Sequence, residues 1–320
     1  MMIRPAVLPD EVARGYLGRI MRLNGWTKIE SALHELKRCS SMHSSSDPEQ
    51  TPADRLAHAA GLTAEQFIRH HSLAPYIRAF VPSERGARRP RSHDQEYSFL
   101  RVLGLGVARK DAHLCPLCVR EDLAFHGVSY WRRSHQLPGI YWCSKHGCAL
   151  RHLRADVALH NSPAHLLDRS TAMDEDWVQA LRSNPWIHRF HDISVELARG
   201  EPALDLRDAS ELIRHRIIDL GYGTTDQLVD VPAVFDALHR HFGERWLCAI
   251  MPRMKMSRFN SCGGKALQLA LRGNRPAAPT VVYAVLMSLF FKSADQAMAA
   301  MRSCRTRRVR QVNDKADSCA

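Results

Sequence analysis

The sequence predicts a mainly α-helical protein, with an N-terminal helix-turn-helix, a small β-containing zinc ribbon and a helical C-terminal domain. Three observations carry that prediction. Apolar residues recur at helical spacing over much of the chain, a glycine turn and a capping box separate two short helices within residues 51–73, and paired Cys/His knuckles flank an aromatic stretch near 113–150. At 320 residues the chain exceeds one ordinary small core, so more than one domain is expected. The expected organisation is 1–88 for the helix-turn-helix region and 89–155 for the zinc module, then 156–301 for the helical domain and 302–320 for a basic, disordered tail.

Asp10 precedes EVARGYLGRIMRL, whose Val12, Tyr16, Leu17 and Ile20 share one helical face, and Asn24-Gly25 supplies a stop. A second helix is expected around 27–38, before the serine-rich segment CSSMHSSSDPEQ, which reads as an exposed, flexible loop. In TPADRLAHAAGLTAEQFIRHHSL, Leu56, Ala57 and Ala60 form a short apolar face. Gly61 permits a tight turn, Leu62 points inward, and Thr63 with Gln66 makes a capping box that opens a new helix. Helix, glycine turn and capped helix at this spacing predict a helix-turn-helix, although packed helical hairpins share the pattern. Its second helix carries Arg69, His70 and His71, in reach of phosphate.

Beyond residue 155 the reading is helical. ASELIRHRIIDLG places Ile213, Ile217 and Leu220 on one face and stops at Gly221. DVPAVFDALHRHFG places Val231, Val234, Phe235, Leu238 and Phe242 on one stripe, with Pro232 near its start. Such stripes are core rather than a ligand box. The most apolar run, AAPTVVYAVLMSLFF, is broken by Pro279 and too short to span a bilayer, so it reads as a buried helix.

Forty-five Lys and Arg against 33 Asp and Glu give a net charge of +12, nearly all of the excess from arginine. A polyanion such as DNA is the partner this balance favours; an arginine-rich genome is the simpler reading. Arg85, Arg88, Arg89 and Arg91 crowd a linker at 83–93, and Arg305, Arg307 and Arg308 belong to a cluster at 302–310. Both runs suit phosphate contact without base readout. The opening residues lack the apolar run of a signal peptide, so a cytoplasmic protein is expected, with its nine cysteines as metal ligands and core residues rather than disulfides.

The metal prediction rests on spacing. Cys115 and Cys118 form a C-x2-C pair, and after a gap of 24 residues Cys143 and His146 form a C-x2-H pair. Structural zinc takes four tetrahedral sulfur or nitrogen ligands, and two short knuckles on a hairpin would deliver them. SYWRRSHQLPGIYWC is expected to be that hairpin, with a strand at 129–134, a turn through Pro138-Gly139 and a return strand at 140–143. Three thiolates and an imidazole around a divalent cation leave about one negative charge. Arg132, Arg133 and Lys145 would offset it or act as ordinary surface charge, and Arg132 with Arg133 is the candidate docking surface.

His135 and Cys148 are alternative or additional ligands. A second zinc drawing on His113, His126, His135, Cys148 or His152 stays open, whereas Cys39, Cys248, Cys262, Cys304 and Cys319 have no ligand spacing. A thioredoxin-like pair is set aside because the cysteines lie among loop-like residues. A zinc deaminase would need an upstream H-x-E and a proline before the first cysteine of the C-x2-C pair, where Leu114 stands. With four ligands closing the metal, and no Walker A, H-E-x-x-H or G-x-S-x-G motif, no active site is predicted.

The stretch CPLCVREDLAFHGVSYWRRSHQLPGIYWCSKHGCAL resembles the zinc-binding core of the TniQ family, the target-selection adaptors of bacterial transposons. The family pattern is CPxC, an acidic residue soon after (Asp122), YWRRxHQLPG over Tyr130 to Gly139, and CxxHGxxL over Cys143 to Leu150. The opening LPDEVARGYLGRIMRLNG is similar to the family's start, with Gly15-Tyr16 where Ser-Trp is common. The likeness covers about residues 4–155 and is loose beyond them, and the further C-terminal domains of longer relatives are not expected here. The resemblance implies a non-enzymatic bridge between target DNA or a target-marking complex, such as a CRISPR effector, and the transposon's AAA+ ATPase, which brings the transposase. It also implies a homodimer. The rival readings are a helix-turn-helix and zinc-ribbon transcription regulator, and, more remotely, a zinc or thiol enzyme.

Overall fold

The computed structural model describes residues 2–41, 51–81, 111–154, 158–200, 204–226, 228–252, 264–273 and 279–303. The arginine linker lies outside them, as do the serine-rich stretch from residue 42 and the tail from residue 304, so Arg85, Arg88, Arg89, Arg91, Arg305, Arg307 and Arg308 are not among the described residues, whereas Cys39–Ser41 end a helix rather than open a loop. The described residues are mostly helical with a little sheet, and they cluster into two compact units. One is built from residues 2–75 and 111–180, the other from 76–81 and 181–303.

In the first unit, helix α1 (Ala13–Leu23) buries Tyr16, Leu17 and Ile20 completely, as the periodicity predicts, and stops at Asn24 before Gly25 at φ +70°. Helix α2 (Ile29–Ser41) covers it through Ala32 and Leu36. Helices α3 (Pro52–Ala60) and α4 (Ala64–His71) form the expected helix-turn-helix, closing the same core with Leu56, Ala57 and Phe67. Gly61 sits at φ +69°, where a side chain would be strained. The Thr63–Gln66 capping box is present, and a second box, Thr51–Asp54, starts α3.

Strands β2 (Asp111–Leu114), β3 (Arg151–Arg154) and β4 (Thr171–Ala172) make one antiparallel sheet in that order, with His113 opposite His152. Because β4 pairs with β3, and the Trp131 indole donates to the Asn161 carbonyl at 2.8 Å, this unit continues past the boundary expected at 155. The helix-turn-helix region and the knuckles lie in this one unit.

The predicted hairpin over 129–143 does not form. Arg132 bridges to Glu11 of the N-terminal segment, Ser134–Gln136 make a helical turn, and Trp142 pairs with Ala149. Each half of the expected hairpin has a different partner. The Gln136 amide instead spans the backbone of β2: it accepts from the His113 N–H at 3.0 Å and donates to the His113 carbonyl at 2.8 Å.

The second unit is a helical bundle around Thr280–Phe290, the most apolar run, whose residues are almost all buried. It packs on Pro185–Ala198, where Arg189 donates to the Ser288 carbonyl at 2.7 Å. Val234, Phe235, Leu238 and Phe242 of helix Val231–Phe242 are buried as the stripe predicts. Leu220 is not. The helix Leu206–Ile217 gives way to a wider turn over Ile218–Tyr222, Gly221 takes φ +88°, and Leu220 rotates into solvent. Residues 76–81 belong to this unit because β1 (Phe80–Val81) pairs in parallel with β5 (Leu204–Asp205) and Phe80 stacks on Tyr283. Among the described residues no helix is long and apolar enough to cross a membrane.

The first unit is pinned at Asp10–Val12. Glu11 is fully buried, and both its oxygens accept from Arg19, at 3.0 and 2.6 Å. Arg19 also donates to the Ala6 carbonyl, wrapping the N-terminal strap over α1. Breaking one side of a buried pair costs about 3–5 kcal/mol, because the remaining charge stays desolvated. Glu11→Ala should therefore lower the unfolding free energy of this unit, read by denaturant titration, by that order, and a joint Glu11→Met/Arg19→Met replacement should cost clearly less.

His160 gives a pH prediction. Burial, then the charges of Arg14 and Arg22, lower its pKa to about 4, and its Nε2 accepts from Arg14 at 3.2 Å. The folded state thus prefers a neutral ring, a preference that stabilises fully above the ordinary imidazole value and is lost as pH falls from about 6.5 toward 4. Thermal unfolding of wild type and His160→Gln should show the variant losing less stability across that window.

Candidate metal centre

Cys115 lies where β2 runs directly into the helix Pro116–His126. It is the N-cap, its sulfur accepts from the Cys118 N–H at 3.4 Å, and Pro116 takes the first helical position. The pair therefore sits at a strand–helix junction, not among loop residues, so position does not separate it from a thioredoxin pair. The antiparallel sheet and the second knuckle do. That knuckle is a tight turn: the Gly147 N–H donates to the Cys143 carbonyl at 2.7 Å, and the Cys143 N–H to the Cys148 carbonyl at 2.9 Å.

The two knuckles meet. Ligand atoms of Cys115, Cys118, Cys143 and His146 all lie within 4.8 Å of one another, the cysteines buried and the histidine half-buried. His146 Nδ1 is 3.4 Å from the sulfurs of Cys115 and Cys118 and 3.5 Å from that of Cys143, while Cys118 and Cys143 are 3.6 Å apart. Tetrahedral bonds of about 2.0–2.3 Å separate donors by about 3.5–3.8 Å. The cluster thus fits one divalent ion of that size, with no protein-free position among four ligands.

Crowding sets the thiols against one another. Hydrogen bonds from Cys118 and Cys143 push Cys115 far down, and the same contacts push Cys118 up. Burial disfavours the His146 cation, but hydrogen bonds to Glu121 and the cysteines prevail and raise it to about 9. A divalent cation removes this competition by favouring every ligand in its deprotonated form.

The alternative ligands border the four-residue group. Cys148 Sγ touches Cys115 Sγ at 3.5 Å, and His135 hydrogen-bonds the Cys143 thiol. Among the described residues no second such group forms: His113 stacks on His152, and His126 packs edge-on against Tyr130.

Arg132 and Arg133 are not a free surface. Arg132 donates to the buried Asp122 carboxylate at 2.5 Å and lies 4.7 Å over the Tyr130 ring. Arg133 donates to Asp10 at 3.3 Å and to the Arg69 carbonyl at 2.6 Å. Arg133 fastens this stretch to the N-terminal segment and α4, whereas the Arg132 side chain ties it to the helix Pro116–His126. Lys145 pairs with Glu121. Arg69 is exposed and 3.9 Å from Glu65. Asp10, Glu11, Glu121 and Gln136 were missed as site-building residues, since their partners are distant in sequence. The acidic step after CPxC was the available signal for Glu121.

Two comparisons bear on this arrangement. Residues 2–150 match the TniQ family model. The Escherichia coli protein described as "Transposon Tn7 transposition protein TnsD" is 32% identical over 100 residues, which cover 29% of this chain and 20% of that protein. The chain thus matches about a fifth of the length of that curated relative.

Because the four candidate ligands join β2, the following helix and the 143–146 turn, a metal bound here would contribute to folding. Purified protein should carry one divalent ion per chain. Cys115→Ala should lose it, with the knuckle region unfolding or becoming insoluble. A metal-free wild type, or a folded and unchanged Cys115→Ala variant, would reject the centre.

Proposed function

We propose, on the premise that residues 2–150 make this chain a TniQ family member, that it is a non-enzymatic adaptor of DNA transposition. It would link target DNA, or a complex marking the target, to the transposon's AAA+ ATPase and transposase. The observation that carries this reading is the match of the family model to the unit that holds the four-ligand centre. The relative's name, a transposition protein, agrees with it. The ion would be Zn²⁺, which the three-thiolate, one-imidazole set suits best, and its role structural, since four protein ligands leave no position for a reacting water.

With Arg132 and Arg133 held in internal pairs, contact with DNA or a partner falls to Arg69 and to the two arginine runs, Arg85, Arg88, Arg89 and Arg91, and Arg305, Arg307 and Arg308. The exposed face of α4, with Gln66, Arg69 and His70, favours a second reading as a DNA-binding regulator.

The two readings separate in one set of measurements. An adaptor should retain the element's ATPase in a pull-down and support transposition. Its own DNA binding should be largely sequence-independent and fall steeply with salt, with a shallower slope once either arginine run is neutralised. Tight binding to a single operator, with repression from it and no ATPase retained, would replace the adaptor by the regulator.

A further inference from the structure

We infer that Glu121 is a positioning residue of the metal centre: it holds His146 in the one tautomer that offers Nδ1 to the ion, and thereby sets how tightly the ion is bound. This rests on the zinc reading above.

The two nitrogens of His146 face different chemistry. Nδ1 points among the three sulfurs, at 3.4, 3.4 and 3.5 Å. Nε2 points away and meets Glu121 Oε1 at 2.9 Å. A neutral imidazole carries its single proton on one nitrogen, and an ionised carboxylate only accepts. Nε2 must therefore hold the proton, which leaves the Nδ1 lone pair directed at the ion. A carboxylate behind a ligating histidine also increases its basicity as a donor.

Glu121 is well placed to do this. It follows Cys118 by three residues on the helix Pro116–His126, so ligand and carboxylate share a face. One helix thus supplies Cys115 at its cap, Cys118 in its first turn, and the acceptor that fixes the fourth ligand on the other knuckle. Lys145 completes the fit: its Nζ holds Glu121 Oε2 at 2.5 Å, leaving Oε1 for the ring. The adjacent Asp122 is occupied elsewhere, by Arg132. Lys145 and Glu121 side chains are 62% and 45% exposed, so their ion pair adds little by itself. The effect of Glu121 runs through the imidazole.

The test uses the full chain as wild type, Glu121→Ala, Glu121→Gln and Lys145→Met. Zn²⁺ affinity is read by competition with a chromophoric chelator, and the His146 ring by ¹⁵N-resolved NMR of the loaded protein. Glu121→Ala should weaken Zn²⁺ binding about 10–100-fold. Glu121→Gln, which keeps an acceptor without the charge, should fall between it and wild type. Lys145→Met should change affinity by less than about threefold, as an exposed pair predicts. The wild-type ring should be metallated at Nδ1 and protonated at Nε2. An unchanged affinity in both Glu121 variants, or metallation at Nε2, overturns the inference. So does an equal loss in Lys145→Met and Glu121→Ala, which would assign the effect to surface charge. Should Glu121→Ala fail to fold, the glutamine variant and the wild-type ring assignment still decide. A wild type that binds no Zn²⁺ removes the zinc reading itself, a distinct result.

Discussion

The first unit depends on one crossing of the chain, at Asp10–Val12, where three otherwise separate parts are tied to a single short segment. Asp10 accepts two hydrogen bonds from Ser134, from its N–H at 3.1 Å and its hydroxyl at 2.6 Å, and its carbonyl accepts from the Arg133 N–H. The Glu11 carbonyl accepts from His71 Nδ1 at the end of α4, at 2.9 Å. The Val12 N–H donates to the Trp131 carbonyl at 2.8 Å. Asp10 takes a positive φ of 58° to do so, and the buried Glu11–Arg19 pair holds the segment against α1. Backbone groups withdrawn from water must find partners, and here they find them in α4 and the 131–134 stretch.

The stretch YWRRSHQLPG takes on a different meaning in this light. Its residues look like an interaction surface, with two arginines and several aromatics. In the fold, nearly every one serves the interior. Trp131 fills the second core beside Val12 and Leu114, Arg132 neutralises Asp122, Arg133 and Ser134 hold Asp10, and Gln136 holds β2. Close packing around α1 adds a further demand: a Cβ on Gly18 would stand 2.6 Å from the Leu159 carbonyl oxygen. This stretch and the Asp10–Val12 segment together join the knuckles to the helix-turn-helix.

What was legible in the sequence was local. The buried face of α1, the turn at Gly61, the capping box at Thr63 and the buried helix at 280–290 all follow from residues within a few positions of one another. The four-residue Cys/His cluster was equally legible as a candidate, because a C-x2-C or C-x2-H knuckle is itself local and its chemistry restricts what a second matching pair can mean.

The tertiary structure decided whatever depends on distant partners. Arg133 meets Asp10 across 123 residues, and only that meeting turns a surface arginine into an internal tie. The expected hairpin lost to pairings with Glu11 on one side and Ala149 on the other, since an extended segment takes whichever edge the fold presents. Leu220 left its stripe where the helix widens over Ile218–Tyr222 and Gly221 leaves helical geometry. Glu121 became visible only once two knuckles met and placed His146 over its helix. Spacing along a chain fixes which side chains can share a turn, whereas which ones share a charge or a ligand is settled by packing between segments that spacing does not relate.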